Sequence, residues 1–241
     1  MEEVSSLKME HIFHSDYKYT DRKTRQRYVF EKYQPILKGK VLDVGADGLY
    51  LKTFLPSDVE YVGIGLGSHP DLLKIDLEKE KIPFQDDCFD CVLCLDVLEH
   101  LENIHDVFDE LCRVTRKWAI ISLPNPYNEV MNYFKHGKYK GGQKNTKFYG
   151  LPLERETDRH KWFFSAIEAE EFVKYRAAKN HMQIIEGKSA GVNTSAPDFL
   201  NRLCKTIKSR LKWCTRSAIF RRNFDFSEVY DGTKWWVLRK Q

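Results

Sequence analysis

No apolar run in this 241-residue chain approaches the roughly 18 residues that a membrane-spanning helix requires. The opening residues Met1, Glu2 and Glu3 lack the basic-then-apolar pattern of a secretory signal, so a cytoplasmic protein is expected. Cysteine is poorly arranged for metal chemistry. Cys88, Cys91 and Cys94 are evenly spaced, but no second close-set pair completes a zinc site. Cys91 and Cys94 also lie in the apolar run Cys91 to Leu95, where a free thiol behaves as a small buried hydrophobe. The dinucleotide fingerprint G-x-G-x-x-G is absent, which disfavours an NAD enzyme. There is no internal repeat and no low-complexity tract.

What is present suits a globular α/β protein. Hydrophobic residues make up 42% of the chain and aromatics 13%, enough for the core of one domain over residues 1–241, with substrate-side insertions at about 125–160 and 190–230. Short β-like runs alternate with helical patterns from Val41 to Leu123, the signature of a parallel sheet with crossover helices. Strands are expected at Val41–Val44, Tyr61–Ile64, near Leu72–Ile75, at Asp90–Leu95 and at Trp118–Leu123. Helices are expected at Leu49–Leu55, stopping before Pro56, and at Ile104–Val114. Ser165 with Glu168 has capping-box spacing and opens a helix to about Lys179. A sixth strand follows at Met182–Glu186, a helix from Pro197 to about Trp213, and a last strand at Lys234–Leu238. A charged helical stretch, roughly Asp21 to Leu37, precedes the first strand and in isolation says little.

The first chemical signal is the turn Asp43-Val44-Gly45-Ala46-Asp47-Gly48 between the first strand and the following helix. Glycine there lets backbone approach a ligand, and a helix N-terminus would add N–H donors and partial positive charge. An acidic residue before a short Gly turn suits the cationic end of S-adenosyl-L-methionine (SAM). Taken alone, the turn serves equally well as a purely structural feature.

Taken with Tyr61-Val62-Gly63-Ile64, Ile82-Pro83-Phe84, Phe89-Asp90 and Asp96-Val97-Leu98-Glu99-His100, in that order and spacing, the chain resembles the class I SAM-dependent methyltransferases over most of its length. The resemblance implies a Rossmann-like fold: a seven-stranded, mainly parallel sheet with the last strand antiparallel, flanked by helices. It also implies a cofactor site. Asp43, Gly45 and Ala46 would lie near the amino-acid part of SAM, Gly48 would let the turn close, Asp76 and Leu77 would flank the adenine, and Leu95 and Asp96 would close over the sulfonium side. Two departures stand out. Asp47 occupies a position where the family usually has glycine, and Gly65 ends the second strand where an acid usually holds the ribose hydroxyls. Either a nearby residue such as Asp47 substitutes, or SAM binds more weakly.

Methyl transfer is an in-line displacement that depends mainly on positioning, and a base is needed chiefly when the acceptor is a hydroxyl. The candidates are Glu99, His100 and His160. Asp96, Glu99 and His100 are spaced i, i+3 and i+4, which on a helical turn gives one shared face. With His160, this looks like the carboxylate-x-x-Glu-His plus distant His arrangement of magnesium-assisted O-methyltransferases, including the ubiquinone-pathway and small-RNA 2′-O-methyltransferase families. Asp96, Glu99, His100 and His160 are thus a candidate Mg2+ set, against the alternative that the Glu-His pair caps a helix and orders the turn. Asn125, Tyr127 and Trp162 are candidate substrate contacts: the first two follow the fifth strand, whose carboxyl end is where α/β sheets bind ligands. Trp162 and its neighbour Phe163 could equally be core.

Positive charge is local. Between residues 201 and 223 lie Arg202, Lys205, Lys208, Arg210, Lys212, Arg216, Arg221 and Arg222, with no acid. Leu200, Leu203, Ile207 and Leu211 form an apolar stripe opposite most of these, so residues 200–222 could be a solvated lid, a peripheral membrane contact or a site for anionic ligands. No RNA-binding module accompanies them. Three functions follow: O-methylation of a small molecule or of a glycan, free or lipid-linked; methylation of nucleic acid; or a methyltransferase-like binding protein without turnover.

Overall fold

The computed structural model describes residues 13–128, 130, 159–189 and 232–241. The expected insertions at 125–160 and 190–230, the helix from Pro197, the basic stretch 200–222 and Cys204 and Cys214 therefore lie largely or wholly outside the described residues. Within them the elements run α1 (Arg22–Tyr33), β1 (Lys40–Val44), a 3-10 turn (Tyr50–Thr53), β2 (Glu60–Gly65), β3 (Leu73–Lys74), β4 (Phe89–Leu95), a second 3-10 turn (Leu98–His100), α2 (Ile104–Val114), β5 (Thr115–Leu123), α3 (Ala166–Lys179), β6 (Met182–Ser189) and β7 (Lys234–Lys240).

The strands form one sheet in the order β3-β2-β1-β4-β5-β7-β6. Neighbours are parallel from β3 to β5, and β7 runs antiparallel to both β5 and β6, as the family resemblance implies. The carboxyl ends of β1, β2, β4 and β5 consequently share one edge. The strand order reverses between β1 and β4, and the carboxyl edge at such a switch point is where ligands bind in these sheets.

Strand alternation builds two cores. Leu42, Val44, Val92, Cys94, Ile121 and Trp236 face α2 and α3, whereas Val41, Cys91, Leu93, Ile120, Trp235 and Val237 face α1. Cys91 and Cys94 thus fall on opposite faces of β4, which rules out a shared metal, and burial pushes both thiols up from their ordinary range. Two helix starts are fixed by capping boxes, Asp21 with Thr24 for α1 and Ser165 with Glu168 for α3. The helix expected over Leu49–Leu55 is instead one 3-10 turn; it starts from Leu49 at φ 47° and has too few residues before Pro56 to propagate.

Helix α1 is tied to the far side of the sheet. Lys32 is buried and its Nζ lies 2.5 Å from Glu186 Oε1 on β6 and 4.9 Å from the Tyr33 ring centroid. Among the described residues no helix is long and apolar enough to cross a membrane.

Candidate active site

The site begins where β1 ends. Asp43 is buried within β1, flanked by Gly63 of β2 and Leu93 of β4. Its carboxylate accepts a 2.8 Å hydrogen bond from the Tyr61 hydroxyl. Burial dominates over that bond and over the attraction of Arg25, so the carboxyl is pushed up to about 6. The following turn is made by Gly45 at φ 78°, a left-handed conformation that a Cβ would strain, and a Cβ there would meet Val97 Cγ2 at 2.3 Å. The Gly45 and Ala46 N–H groups both donate to Ile64 O, at 2.8 and 3.1 Å. The expectation that these turn amides and a helix N-terminus would cradle the ligand is thereby corrected: the two amides bind β2, and no α-helix follows. A phosphate-free ligand such as SAM does not need such a cradle. Gly48 does not carry the turn's unusual conformation, which belongs to Gly45 and Leu49; a Cβ on Gly48 would press on the Tyr50 ring.

At the end of β2, Gly65 sits under the Asp47 side chain. A Cβ at position 65 would lie 2.9 Å from Asp47 Oδ1, and the same oxygen accepts a 3.0 Å hydrogen bond from the Gly67 N–H. Beyond β3, Asp76 caps its own turn, accepting from the Glu78 N–H at 3.2 Å, and pairs with Lys79 at 2.6 Å; these bonds hold its carboxyl below the ordinary range. Leu77 is buried and its carbonyl accepts from Asn103 Nδ2 at 2.8 Å, so the Asp76–Leu77 backbone has a fixed path.

The end of β4 is the most constrained point. Leu95 is buried, and Asp96 takes φ 54°, a left-handed conformation of the kind that clusters at functional sites. Asp96 accepts a 2.6 Å hydrogen bond from the Ser122 hydroxyl on β5 and pairs with Arg25 of α1. Arg25 and Tyr61 contact the candidate residues Asp96 and Asp43, and sequence reasoning missed both. A signal for Arg25 existed: Arg25, Val29, Lys32, Tyr33 and Ile36 share one helical face, and charges on an otherwise apolar stripe imply buried partners.

Glu99, His100 and His160 are brought together as expected. Glu99 is fully buried, and Oε1 lies 3.7 Å from His100 Nε2 and 3.9 Å from His160 Nε2. The two imidazoles meet edge to face with centroids 4.4 Å apart. The His160 segment is held by the Lys161 N–H, which donates to Glu99 O at 2.8 Å, and by Lys161 Nζ on Glu78 at 2.5 Å. Asp96 does not join them. Its left-handed backbone starts a new direction and its carboxylate goes to Arg25 and Ser122, while among the described residues the cluster of Glu99, His100 and His160 places donor atoms within 4.8 Å of one another. The expected metal set is corrected accordingly. One carboxylate and two imidazoles form a nitrogen-rich trio, so without Asp96 the set is short of the oxygen donors that magnesium prefers.

On the acceptor side, Asn125 is buried and its Oδ1 accepts from the Tyr127 N–H at 3.0 Å, shaping the loop after β5. Tyr127 is partly exposed and lies 4.8 Å from Phe163, centroid to centroid. Trp162, the third candidate substrate contact, is partly buried against the core, and its Nε1 donates to Leu101 O at 2.7 Å.

Residues 57–123 match the family model described as a methyltransferase domain. That span contains β2 to β5 and the Asp96–His100 turn, but neither the Asp43 turn nor His160. The chain is similar to a SAM-dependent methyltransferase from Archaeoglobus fulgidus at 13% identity, with 91% of this chain and 95% of that one covered and a TM-score of 0.51. It is equally similar to the cyclase SpnF at 14% identity, 95% and 85% coverage and a TM-score of 0.52. No curated protein matches the sequence. At these identities the structures share a fold, and a fold by itself does not fix the reaction.

Proposed function

From the premise that this chain has the class I SAM-dependent methyltransferase fold and a methyltransferase-domain segment, we propose that it transfers a methyl group from SAM to a hydroxyl of a small-molecule or glycan acceptor. The observation that carries the choice of oxygen is the buried Glu99 carboxylate with two imidazoles at 3.7 and 3.9 Å. A hydroxyl becomes a competent nucleophile as its proton leaves, and histidine is the side chain suited to take that proton near neutral pH.

SAM supplies a methyl group on an electron-poor sulfonium, and the residues of this site suit its parts. The Asp43 carboxylate would attract the cationic amino group, and Arg25 would offer N–H donors to the carboxylate of the same amino-acid end. Asp96 would lie on the sulfonium side, and Leu77 with Asp76 would border the base. The protein's own work is to hold the acceptor oxygen in line with the methyl carbon and to receive its proton on His160 or His100, with Glu99 stabilising the imidazolium that results. Tyr127 and Phe163 offer aromatic surface to the acceptor. The test is incubation with methyl-labelled SAM and a panel of hydroxyl-bearing acceptors. Label on oxygen together with S-adenosylhomocysteine (SAH) supports the proposal, whereas label confined to nitrogen or carbon would reject the choice of oxygen.

The basic residues between 201 and 223 favour acceptors or surfaces bearing negative charge, such as lipid-linked phosphorylated glycans. If the acceptor is instead nucleic acid, its binding must weaken steeply with salt, because phosphate contacts release counterions.

Asp43 gives the site a pH dependence. A carboxyl whose folded-state value is raised to about 6 stabilises the fold in its protonated form, and that contribution is lost as pH rises through about 6. Cofactor binding has the opposite requirement, since only the ionised form attracts the ammonium group. SAH affinity measured by titration calorimetry is therefore expected to be constant above neutrality and to fall by about tenfold per pH unit below about pH 6. Asp43→Asn should bind weakly throughout and remove that dependence.

A further inference from the structure

Resting on the reading that this chain binds SAM, we propose that Asp47 supplies the carboxylate that holds the ribose hydroxyls, delivered from the β1 turn instead of from the end of β2. Nucleotide-binding α/β folds commonly place an acid about 20 residues beyond the glycine turn to accept the ribose hydroxyl protons. Here that place is Gly65, 20 residues after Gly45, and it has no side chain.

The geometry fills the gap from the neighbouring strand. Asp47 Oδ1 lies 2.9 Å from the point where a Cβ of residue 65 would stand. That separation falls between those at which an aspartate and a glutamate carry carboxylate oxygens relative to their own Cβ. The oxygen thus lies beside the place that the side chain of an acid at the end of β2 would occupy. Its place is fixed by the 3.0 Å hydrogen bond from the Gly67 N–H. The two glycines make this approach possible, because a Cβ at 67 would meet the Asp47 carbonyl oxygen at 2.8 Å and one at 65 would displace the carboxylate itself. Among the described residues the second oxygen, Oδ2, has a long 3.9 Å contact to the well-exposed Arg22, so the carboxylate keeps capacity to accept further hydrogen bonds. The absence of an acid at 65 and the presence of one at 47 are then two halves of a single exchange.

The alternative is that Asp47 only ties the β2 loop to the β1 turn. Asp47→Asn separates the two, since the amide oxygen can still accept from the Gly67 N–H but the charge is gone. Calorimetric titration of the full chain with SAH and with 2′-deoxy-SAH reads out the difference without reference to turnover. The wild type is expected to prefer SAH over the deoxy ligand, and D47N to bind SAH about 10–100-fold more weakly and to lose most of that preference. The double variant Asp47→Gly/Gly65→Asp, which returns the carboxylate to β2, should regain it. Equal SAH affinity for wild type and D47N, or an unchanged preference in D47N, overturns the assignment of Asp47 while leaving SAM binding intact. A wild type that binds neither ligand at millimolar concentration overturns the underlying reading itself.

Discussion

Replacing His160 with alanine is expected to lower kcat for O-methylation by about 100- to 10,000-fold, the range seen when a positioned general base is removed. SAH affinity should be unchanged, because His160 belongs to the acceptor side and Asp43, Asp47 and Asp76 to the cofactor side. The distinguishing readout is the pH profile: the acidic limb of kcat, set by protonation of the imidazole, should disappear in the variant. His100→Ala should show a similar loss if the two rings share the proton, and a much smaller one if His100 only packs on His160 at 4.4 Å. Glu99→Gln keeps the shape and removes the charge, so it should shift the acidic limb to lower pH by destabilising the imidazolium. A His160→Ala enzyme with kcat within a few-fold of wild type and an intact acidic limb would remove the base assignment.

The largest effect on stability is expected at Lys32. Lys32 and Glu186 are both buried, and breaking such a pair from one side leaves an uncompensated charge that costs about 3–5 kcal/mol. Lys32→Met alone should therefore lower the denaturation midpoint strongly. The double variant Lys32→Met/Glu186→Met should recover most of the loss, since apolar side chains of similar volume can replace a buried pair at little cost. The effect reaches the site because α1 carries both Lys32 and Arg25. Loosening α1 should weaken SAH binding in the single variant and restore it in the double one. Denaturant unfolding and calorimetry on the three proteins check both parts. A single variant as stable as wild type would show that the pair does not hold α1 to the sheet.

The parts of the fold written in local patterns could be read from the sequence. The apolar strands, the Ser165–Glu168 capping box and the Ile104–Val114 periodicity each state their own structure, and six of the seven strands overlap their expected ranges closely, β3 being shorter. The reading failed where conformation depends on a backbone angle that residue type does not announce. Leu49 and Asp96 both take positive φ, the first ending the expected helix before it forms and the second turning Asp96 away from the Glu99 face. Spacing alone brought Glu99 to His100, but no local rule could bring His160 to them. That meeting depended on the family arrangement, and the structure closes it through the Lys161 N–H on Glu99 O. Arg25 was overlooked because the charged character of α1 masked its apolar stripe, whereas Trp162 was named with two readings, because an aromatic residue before a helix looks the same in a core as in a binding site.

A crystal structure with SAH bound tests the central claim most directly, namely that the carboxyl edge of β1, β2 and β4 holds a SAM-type nucleoside. The account predicts the ribose hydroxyls on Asp47, the amino group at Asp43 and the thioether sulfur beside Asp96, with His160 on the far side of the transferred group's path. SAH bound elsewhere, or an edge left empty at saturating SAH, would contradict it.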